Sequence, residues 1–407
     1  MIYRLGGALV EKALGLRARA RGQDALCQRL SLDDIGRARV WVHGASVGEL
    51  TSALPIIRAL AQTHDVLVTA NSVTGRDLAS GWGLPARLAP LDVPGALARF
   101  LTGVRPSLQI TVESEFWPLR SRMLAERGIP QAVIGARLSQ RSAGRWARLP
   151  GLIGPVLQRV TLLSAQDADS EARLRQLGAP DPVIAPRLDL KLLTPAGVVP
   201  PDPSRQRDRT VLAASTHEGE EAAVLDAWLQ AHRCHPDLRL ILAIRHPRRG
   251  DEVAALLQGQ GVAFQRRSTG GDVGDVLLAD TLGEMDRWYR AAGICFVGGS
   301  LTDRGGHTPW EPAAHAAAIL HGPHIGNFSE SYAALGDAGA AQPVTAATLA
   351  DHLMRLVDAP AQARQMGRAA RDVLVKRAGD PAVLIDRLRQ LAGPPDRPDI
   401  DSDGMKG

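Results

Sequence analysis

Between Arg39 and Leu190, six short apolar stretches alternate with segments of helical spacing, and this pattern constrains the fold more than any other feature of the sequence. RVWVHG, DVLVTAN, RLAPLD, SLQITVES, PQAVIGAR and VTLLSAQ read as strands, while segments such as 47–61 and 115–127 carry apolar residues at helical intervals. Strand and helix in alternation predict a parallel sheet covered on both faces. The pattern then repeats with TVLAAS, LRLILAIR, VAFQRR, DVLLAD, GICFVGGS and AAILHGPH. A chain of 407 residues exceeds one ordinary core. Two α/β domains are therefore expected, over 23–193 and 209–393, with a linker at 194–208 where proline and polar residues cluster. Residues 394–407 read as a disordered tail.

The charge pattern narrows the partners. Net charge is only +5, lysine occurs at positions 12, 191, 376 and 406 alone, and aromatic residues make up 4% of the chain. No dense basic tract interleaved with aromatics is present, which argues against nucleic-acid binding. Cys27, Cys234 and Cys295 are odd in number and far apart, which fits a reducing compartment. Residues 1–22 carry an apolar run far shorter than the roughly 20 residues of a spanning helix. Ile2, Leu5, Leu9, Ala13 and Leu16 fall on one stripe with basic residues nearby. That segment reads either as an interfacial helix on an anionic membrane or as a helix packed on its own domain.

In parallel sheets of this kind ligands bind beyond the carboxyl ends of the strands. After the first strand, HGASVGEL offers Ser46 and Glu49 at capping-box spacing, so Glu49 is either a helix cap or a functional carboxylate. After the fourth, VESEFWPL crowds Glu113, Glu115 and Trp117; a carboxylate against a tryptophan is expected to be desolvated, with a raised pKa. Lys191, before the linker, is either a solvated lysine or a ligand for a carboxylate or phosphate.

The second domain carries nucleotide signals. From 293 to 328 an apolar strand leads into a glycine-rich turn, a helix opening at Pro309 with Glu311 in its first turn, and another strand. Glycine loops and helix starts favour bound anions, and Glu311 can accept two ribose hydroxyls while the loop holds a phosphate. Ser215 and Thr216 either bond phosphate oxygens or cap a helix. Arg245 and His246 end one strand, and Gly283, Glu284 and Met285 follow another.

WVHGASVGE, ESEFWP, ARLS, LDLK, ASTHEGEE, RHP, DTLGE, FVGGSL with GGHTPWEPA, and GPHIGNF together resemble, in this order and over roughly residues 39–330, the 3-deoxy-D-manno-octulosonic acid (Kdo) transferases of glycosyltransferase family 30. The resemblance implies a GT-B fold, with two facing Rossmann-like domains and an active site between them. It also implies transfer of Kdo from CMP-Kdo to a lipid A precursor in lipopolysaccharide synthesis, at the cytoplasmic face of the bacterial inner membrane. By the same resemblance Glu49 is the base that deprotonates the acceptor, and Glu115 and Lys191 stabilise the transition state. Arg245 and its neighbour His246, Gly283 to Met285, and Thr308, Pro309, Trp310 and Glu311 correspond to the CMP-binding segments. No cofactor and no metal are expected. The sequence departs from the family at Gly135 and Thr308, usually asparagine, at Trp310, usually leucine, and at Leu188 and Asp189, usually glycine and asparagine. Those departures bear on the acceptor, so a GT-B relative with another acceptor or nucleotide sugar, or a non-catalytic CMP-binding paralogue, stays open.

Overall fold

A computed structural model describes residues 24–272 and 274–396. The chain divides into two compact units, one formed by the chain up to Thr194 and from Ala378 onward, the other by Pro195–Arg377.

The first unit is a six-stranded sheet whose pairings are all parallel. Its strands are β1 (Val40–Gly44), β2 (Val66–Ala70), β3 (Ala86–Leu88), β4 (Leu108–Val112), β5 (Gln131–Ala136) and β6 (Leu162–Ala165), in the order β3-β2-β1-β4-β5-β6. The order reverses between β1 and β4, so the loops leaving those two strands diverge and leave a crevice at their carboxyl ends. The helix Val47–Ala61 follows β1. Ser46 caps it, and Leu50, Ala53, Ile57 and Leu60, spaced for one helical face, are buried against the sheet with Val42, Val68 and Ile110. Burying each of the larger side chains contributes about 1.5–3 kcal/mol. On the opposite side of the sheet Trp41 and Phe100 meet with ring centroids 4.5 Å apart.

The second unit is a seven-stranded parallel sheet, β7 (Thr210–Thr216), β8 (Arg239–Ile244), β9 (Gln265–Arg266), β10 (Val276–Ala279), β11 (Ile294–Val297), β12 (Ala318–His321) and β13 (Ala341–Pro343). The order is β13-β12-β11-β7-β8-β10-β9, which reverses between β7 and β11. The six strands expected here are present; β13, three residues ending in proline, lacks the apolar run by which the others are recognised.

Three boundaries differ from expectation. The helix Ala382–Ala392, expected in the second domain, buries Leu384 and Leu388 in the first unit's core, and Arg389 donates to the Ala59 carbonyl at 3.0 Å. The expected linker 194–208 ends in a helix, Arg205–Asp208, that belongs to the second unit: Arg207 donates to the His315 carbonyl, and Asp208 pairs with Arg364. The expected tail starts with residues held in place, because Asp396 pairs with Arg39 at 2.7 Å and accepts the Asp65 N–H at 3.0 Å. The expectations for residues 1–22 and for the tail from 397 onward lie outside the described residues. Among the described residues no helix is long and apolar enough to cross a membrane.

Candidate active site

In the first unit, the candidate acids stand where the sheet order reverses. Glu49 lies in the first turn after β1, and Glu115 follows β4. The Glu49 carboxylate folds back to accept the Ala45 N–H at 2.6 Å, while its own N–H donates to Ser46 Oγ at 3.3 Å. Glu49 is thus a capping residue in geometry. It is also half-buried: desolvation raises its pKa, the Ala45 hydrogen bond opposes this, and the charges of Glu113 and Glu115 raise it further. A carboxylate with increased proton affinity is suited to accept a proton.

Glu115 goes the other way, contrary to the rise expected beside Trp117. The His43 imidazole, with Nε2 3.8 Å from Oε2, and then Trp117 Nε1 at 2.8 Å and Asn71 Nδ2 at 3.2 Å outweigh desolvation and bring the pKa down to about 2. At 3.8 Å the imidazole contact is longer than a hydrogen bond, so the Trp117 and Asn71 bonds are the firmer part of this effect. His43 is fully buried in β1, and burial, with Arg120 nearby, lowers its pKa to about 4, so it is neutral near pH 7. Its Nδ1 lies 3.0 Å from Thr69 Oγ1, which accepts the Trp41 indole N–H at 2.8 Å. The Thr69 hydroxyl also donates to the Val42 carbonyl at 3.4 Å, and His43 Nε2, buried, has no hydrogen-bond partner on the side facing Glu115. A small cavity of about 70 Å³ beside Glu115 is lined by His43, Asn71, Trp117 and Arg120 among others.

Lys191 is exposed, with Nζ 3.9 Å from Glu113 Oε1. The structure therefore pairs it with Glu113, whose backbone is left-handed at φ +59°. Gly135 bears on this lysine. It too is left-handed, at φ +58°, and a Cβ there would lie 2.5 Å from Leu190 Cδ1. The missing side chain gives Leu190 its place, next to Lys191 in sequence.

In the second unit the candidate segments follow four strands that are consecutive neighbours, β11-β7-β8-β10, so their loops lie side by side along one edge. The glycine loop after β11 is built as expected: a Cβ on Gly298 would come within 2.5 Å of the Ser215 carbonyl, and Gly299 has φ +66°. Three of its N–H groups, however, are not open to a phosphate. The buried Glu220 carboxylate accepts Gly299 N–H at 2.7 Å, Ser300 N–H at 2.9 Å and Leu301 N–H at 2.8 Å, with His217 N–H at 2.9 Å. The anion that the loop cradles is part of the protein.

Around that loop, Arg245 is exposed after β8, and the His246 ring lies edge-on to His217 with centroids 5.5 Å apart. His217 and His307 bring their Nε2 atoms to 2.9 Å. Ser215 is half-buried at a bulge in β7 with φ +57°, while Thr216 is fully buried with its hydroxyl unpartnered, so the Thr216 side chain does not reach solvent to bond a phosphate. The Glu284 carboxylate is turned onto Arg267 at 2.7 Å and onto Thr281, which hold its pKa down at about 2. Gly283 beside it is left-handed, at φ +85°, and Met285 opens the helix Met285–Ala291. The short helix Trp310–Ala314 starts after Pro309, with Thr308 Oγ1 accepting the Trp310 N–H at 3.3 Å and Trp310 buried. Glu311 is open to solvent on one side, and its Oε2 accepts the Tyr289 hydroxyl at 3.0 Å; desolvation raises its pKa against that bond. A larger cavity in this unit, about 260 Å³, is lined by Thr210 and Arg239, at the starts of β7 and β8, away from these loops.

Sequence reasoning missed His43, Asn71, His217, Glu220 and His307. His43, Asn71, His217 and Glu220 sit at or a few residues beyond strand ends and His307 in the long loop after β11; four of the five lie within the motifs WVHGASVGE, ASTHEGEE and GGHTPWEPA, but spacing alone does not tell their chemistry. Among the described residues no group of three or more His, Cys, Asp or Glu is placed to hold a metal ion.

The sequence profile of the family described as "3-Deoxy-D-manno-octulosonic-acid transferase (kdotransferase)" matches residues 15–193. The 3-deoxy-D-manno-octulosonic acid transferase of Bordetella pertussis is 36% identical over 376 residues, covering 88% of this chain and 88% of that protein. The Haemophilus influenzae enzyme of the same name is 33% identical over 370 residues, covering 86% of each. Among solved structures, UDP-GlcNAc 2-epimerase from Neisseria meningitidis bound to UDP-GlcNAc superposes with a TM-score of 0.51 at 13% identity, over 83% of this chain and 98% of that one. That likeness concerns the fold alone, which is of the GT-B class.

Proposed function

The chain belongs to the 3-deoxy-D-manno-octulosonic acid transferase family of glycosyltransferases, and on that premise we propose that it moves Kdo from CMP-Kdo to a lipid A precursor. In the proposed reaction Glu49 takes the proton of the acceptor hydroxyl, whose oxygen bonds to the anomeric carbon of Kdo. The bond from that carbon to the phosphate oxygen breaks, and CMP leaves with the electron pair. The displacement is single and inverting.

The observation that carries this reading is the divergence of two carboxylates at the same sheet crevice. Glu49 is pushed toward holding a proton, whereas Glu115 is held ionised with a pKa of about 2. Groups pushed apart in this way divide the roles of proton acceptor and fixed charge. Glu115 can favour the positive charge that develops on a sugar ring as its leaving group departs, and Lys191 can meet negative charge on donor or acceptor. Arg245, His246, the backbone of 283–285 and the segment Thr308–Glu311 hold CMP, with Glu311 on the ribose. CMP is a good leaving group, and arginine can absorb its developing charge; the proposed transfer needs no metal. A lipid acceptor places the proposed reaction at a membrane surface, the cytoplasmic face of the inner membrane in this reading, with the enzyme attached peripherally or monotopically.

The direct test incubates the protein with CMP-Kdo and tetra-acylated lipid A precursor in chelator and follows the mass of the lipid. Addition of Kdo is expected. Absence of product with or without divalent ions would overturn the assignment of donor and acceptor. A second reading, a family member with a different acceptor, is favoured by one observation: Gly135 and Leu190 pack in a way that an asparagine at 135 would disturb. Transfer to another acceptor, with none to the lipid A precursor, would select it.

A further inference from the structure

Glu220 takes the N–H groups of Gly299, Ser300 and Leu301, so an anion bound at this edge of the second unit needs other donors. The side chains at the rim of the same loop supply them. His217, just past β7, and His307, in the loop after β11, meet Nε2 to Nε2 at 2.9 Å, with ring planes 12° apart and centroids at 5.2 Å. These two strands are the neighbours between which the sheet order reverses. Three further contacts fix His307: its N–H donates to the Gly298 carbonyl at 3.2 Å, the Gly306 N–H donates to the Gly299 carbonyl at 2.7 Å, and its own carbonyl accepts the Tyr332 hydroxyl at 2.9 Å.

We propose that His217 and His307 are a proton-sharing pair that binds the phosphate of the donor nucleotide, taking up one proton from solvent as the phosphate arrives. This rests on the reading of the second unit as the CMP site.

The geometry limits the pair to one added proton. At 2.9 Å only one of the facing Nε2 atoms can carry a hydrogen, and the other must accept it. The ring that donates through Nε2 then has a bare Nδ1, and that atom takes the added proton. A second uptake would place two N–H groups against each other.

The surroundings set the sign. His217 feels the negative Glu220 from the helix Glu220–Cys234, against His246 and Arg245 from the loop after β8 and Arg304 from the loop after β11. His307 faces His217, Arg245 and His246, with Glu220 opposing them. Burial first, and then Arg245 and Arg304 for His217 and Arg245 for His307, keep both imidazoles below their ordinary pKa against the opposing Glu220, so the unliganded pair is neutral near pH 7. A phosphate beside them reverses the local field and favours the imidazolium. The protonated pair and Arg245 then present positive charge to one anion, as a helix start or glycine loop would elsewhere.

The test uses the full chain, with CMP as probe and cytidine as the control without phosphate. Calorimetric titration between pH 6 and 8, in buffers of different ionisation enthalpy, reads the protons taken up on binding. The wild type should take up to one proton per CMP beyond that of the nucleotide's own phosphate. His217→Gln and His307→Gln, which keep a polar atom near Nε2 but accept no proton, should lose that uptake and about tenfold in CMP affinity near pH 6.5. Cytidine binding should show no such dependence. Imidazole carbon shifts of the wild type, which need no substitution, should move toward imidazolium values when CMP is added. CMP binding with equal uptake in wild type and variants, or with unmoved imidazole shifts, would overturn the pair as a phosphate site. A folded wild type that binds no CMP would overturn the donor-site reading itself, and this proposal with it.

Discussion

Glu220 Oε2 accepts the Gly299 N–H at 2.7 Å, and through this carboxylate the helix Glu220–Cys234 is tied to the loop that carries His307. Three more backbone N–H groups end on the same two oxygens. Glu220→Ala would leave four donors without this acceptor, two of them, on Gly299 and Ser300, in buried bonds. A buried donor left unsatisfied costs about 1–3 kcal/mol, so a loss on the order of 3 kcal/mol is expected by denaturant unfolding. CMP affinity should fall with it, because the loop is no longer held. A variant with unchanged stability would show that these hydrogen bonds do not secure the loop.

Lys191 and Glu113 separate structure from catalysis more cleanly. Their contact is 3.9 Å and the lysine is exposed, and such a pair contributes about 0–1 kcal/mol at most. Lys191→Met should therefore leave the melting temperature nearly unchanged. If the lysine stabilises the transition state, turnover should fall at least about tenfold, the kinetic equivalent of one hydrogen bond to a charged group. Unchanged turnover would remove Lys191 from the machinery.

The pH profile follows from the opposite shifts of the two glutamates. Glu49 must be ionised to act as base, and its raised pKa moves the acidic limb of kcat upward from where an ordinary glutamate would put it. Glu115, near 2, stays ionised throughout that range. Because the Glu115 charge helps to raise Glu49, Glu115→Gln should lower overall turnover and also move the limb to lower pH. Stability carries the matching signs. The raised Glu49 contributes stability that is present below its unfolded pKa and lost as pH rises through its folded one. The lowered Glu115 contributes stability present above its unfolded pKa and lost as pH falls toward about 2. A limb that stays in place in Glu115→Gln would contradict the coupling.

The parts of the fold that depend on periodicity were legible. The helix 47–61 and the strands from RVWVHG to AAILHGPH follow from the alternation of apolar residues, and the sites follow from the rule that ligands meet strand ends. What escaped depends on contacts distant in sequence. The last helix returns to the first unit because Leu384 and Leu388 fit the core beside Leu50, and nothing local in 382–392 names that partner. The glycine loop is expected to hold a ligand phosphate, but the N–H groups of Gly299, Ser300 and Leu301 end on Glu220, 79 positions before Gly299. Proximity to Trp117 suggested desolvation of Glu115. The indole N–H instead donates a hydrogen bond, which acts on the pKa with the opposite sign.

The central claim is that Glu49 accepts the acceptor's proton, and Glu49→Gln tests it most directly. Glutamine preserves the shape and can still accept the Ala45 N–H, but it takes no proton at neutral pH. Removing a charge that burial disfavours offsets part of the lost capping, so the stability cost should stay below about 1 kcal/mol. CMP affinity should be unchanged, since the nucleotide segments belong to the other unit. Turnover, measured with melting temperature and CMP affinity on one preparation, should fall by about a hundredfold to ten-thousandfold, the usual range for loss of a general base. Near-normal turnover in the folded, CMP-binding variant would reduce Glu49 to the helix cap that its hydrogen bonds also describe, and would contradict the mechanism.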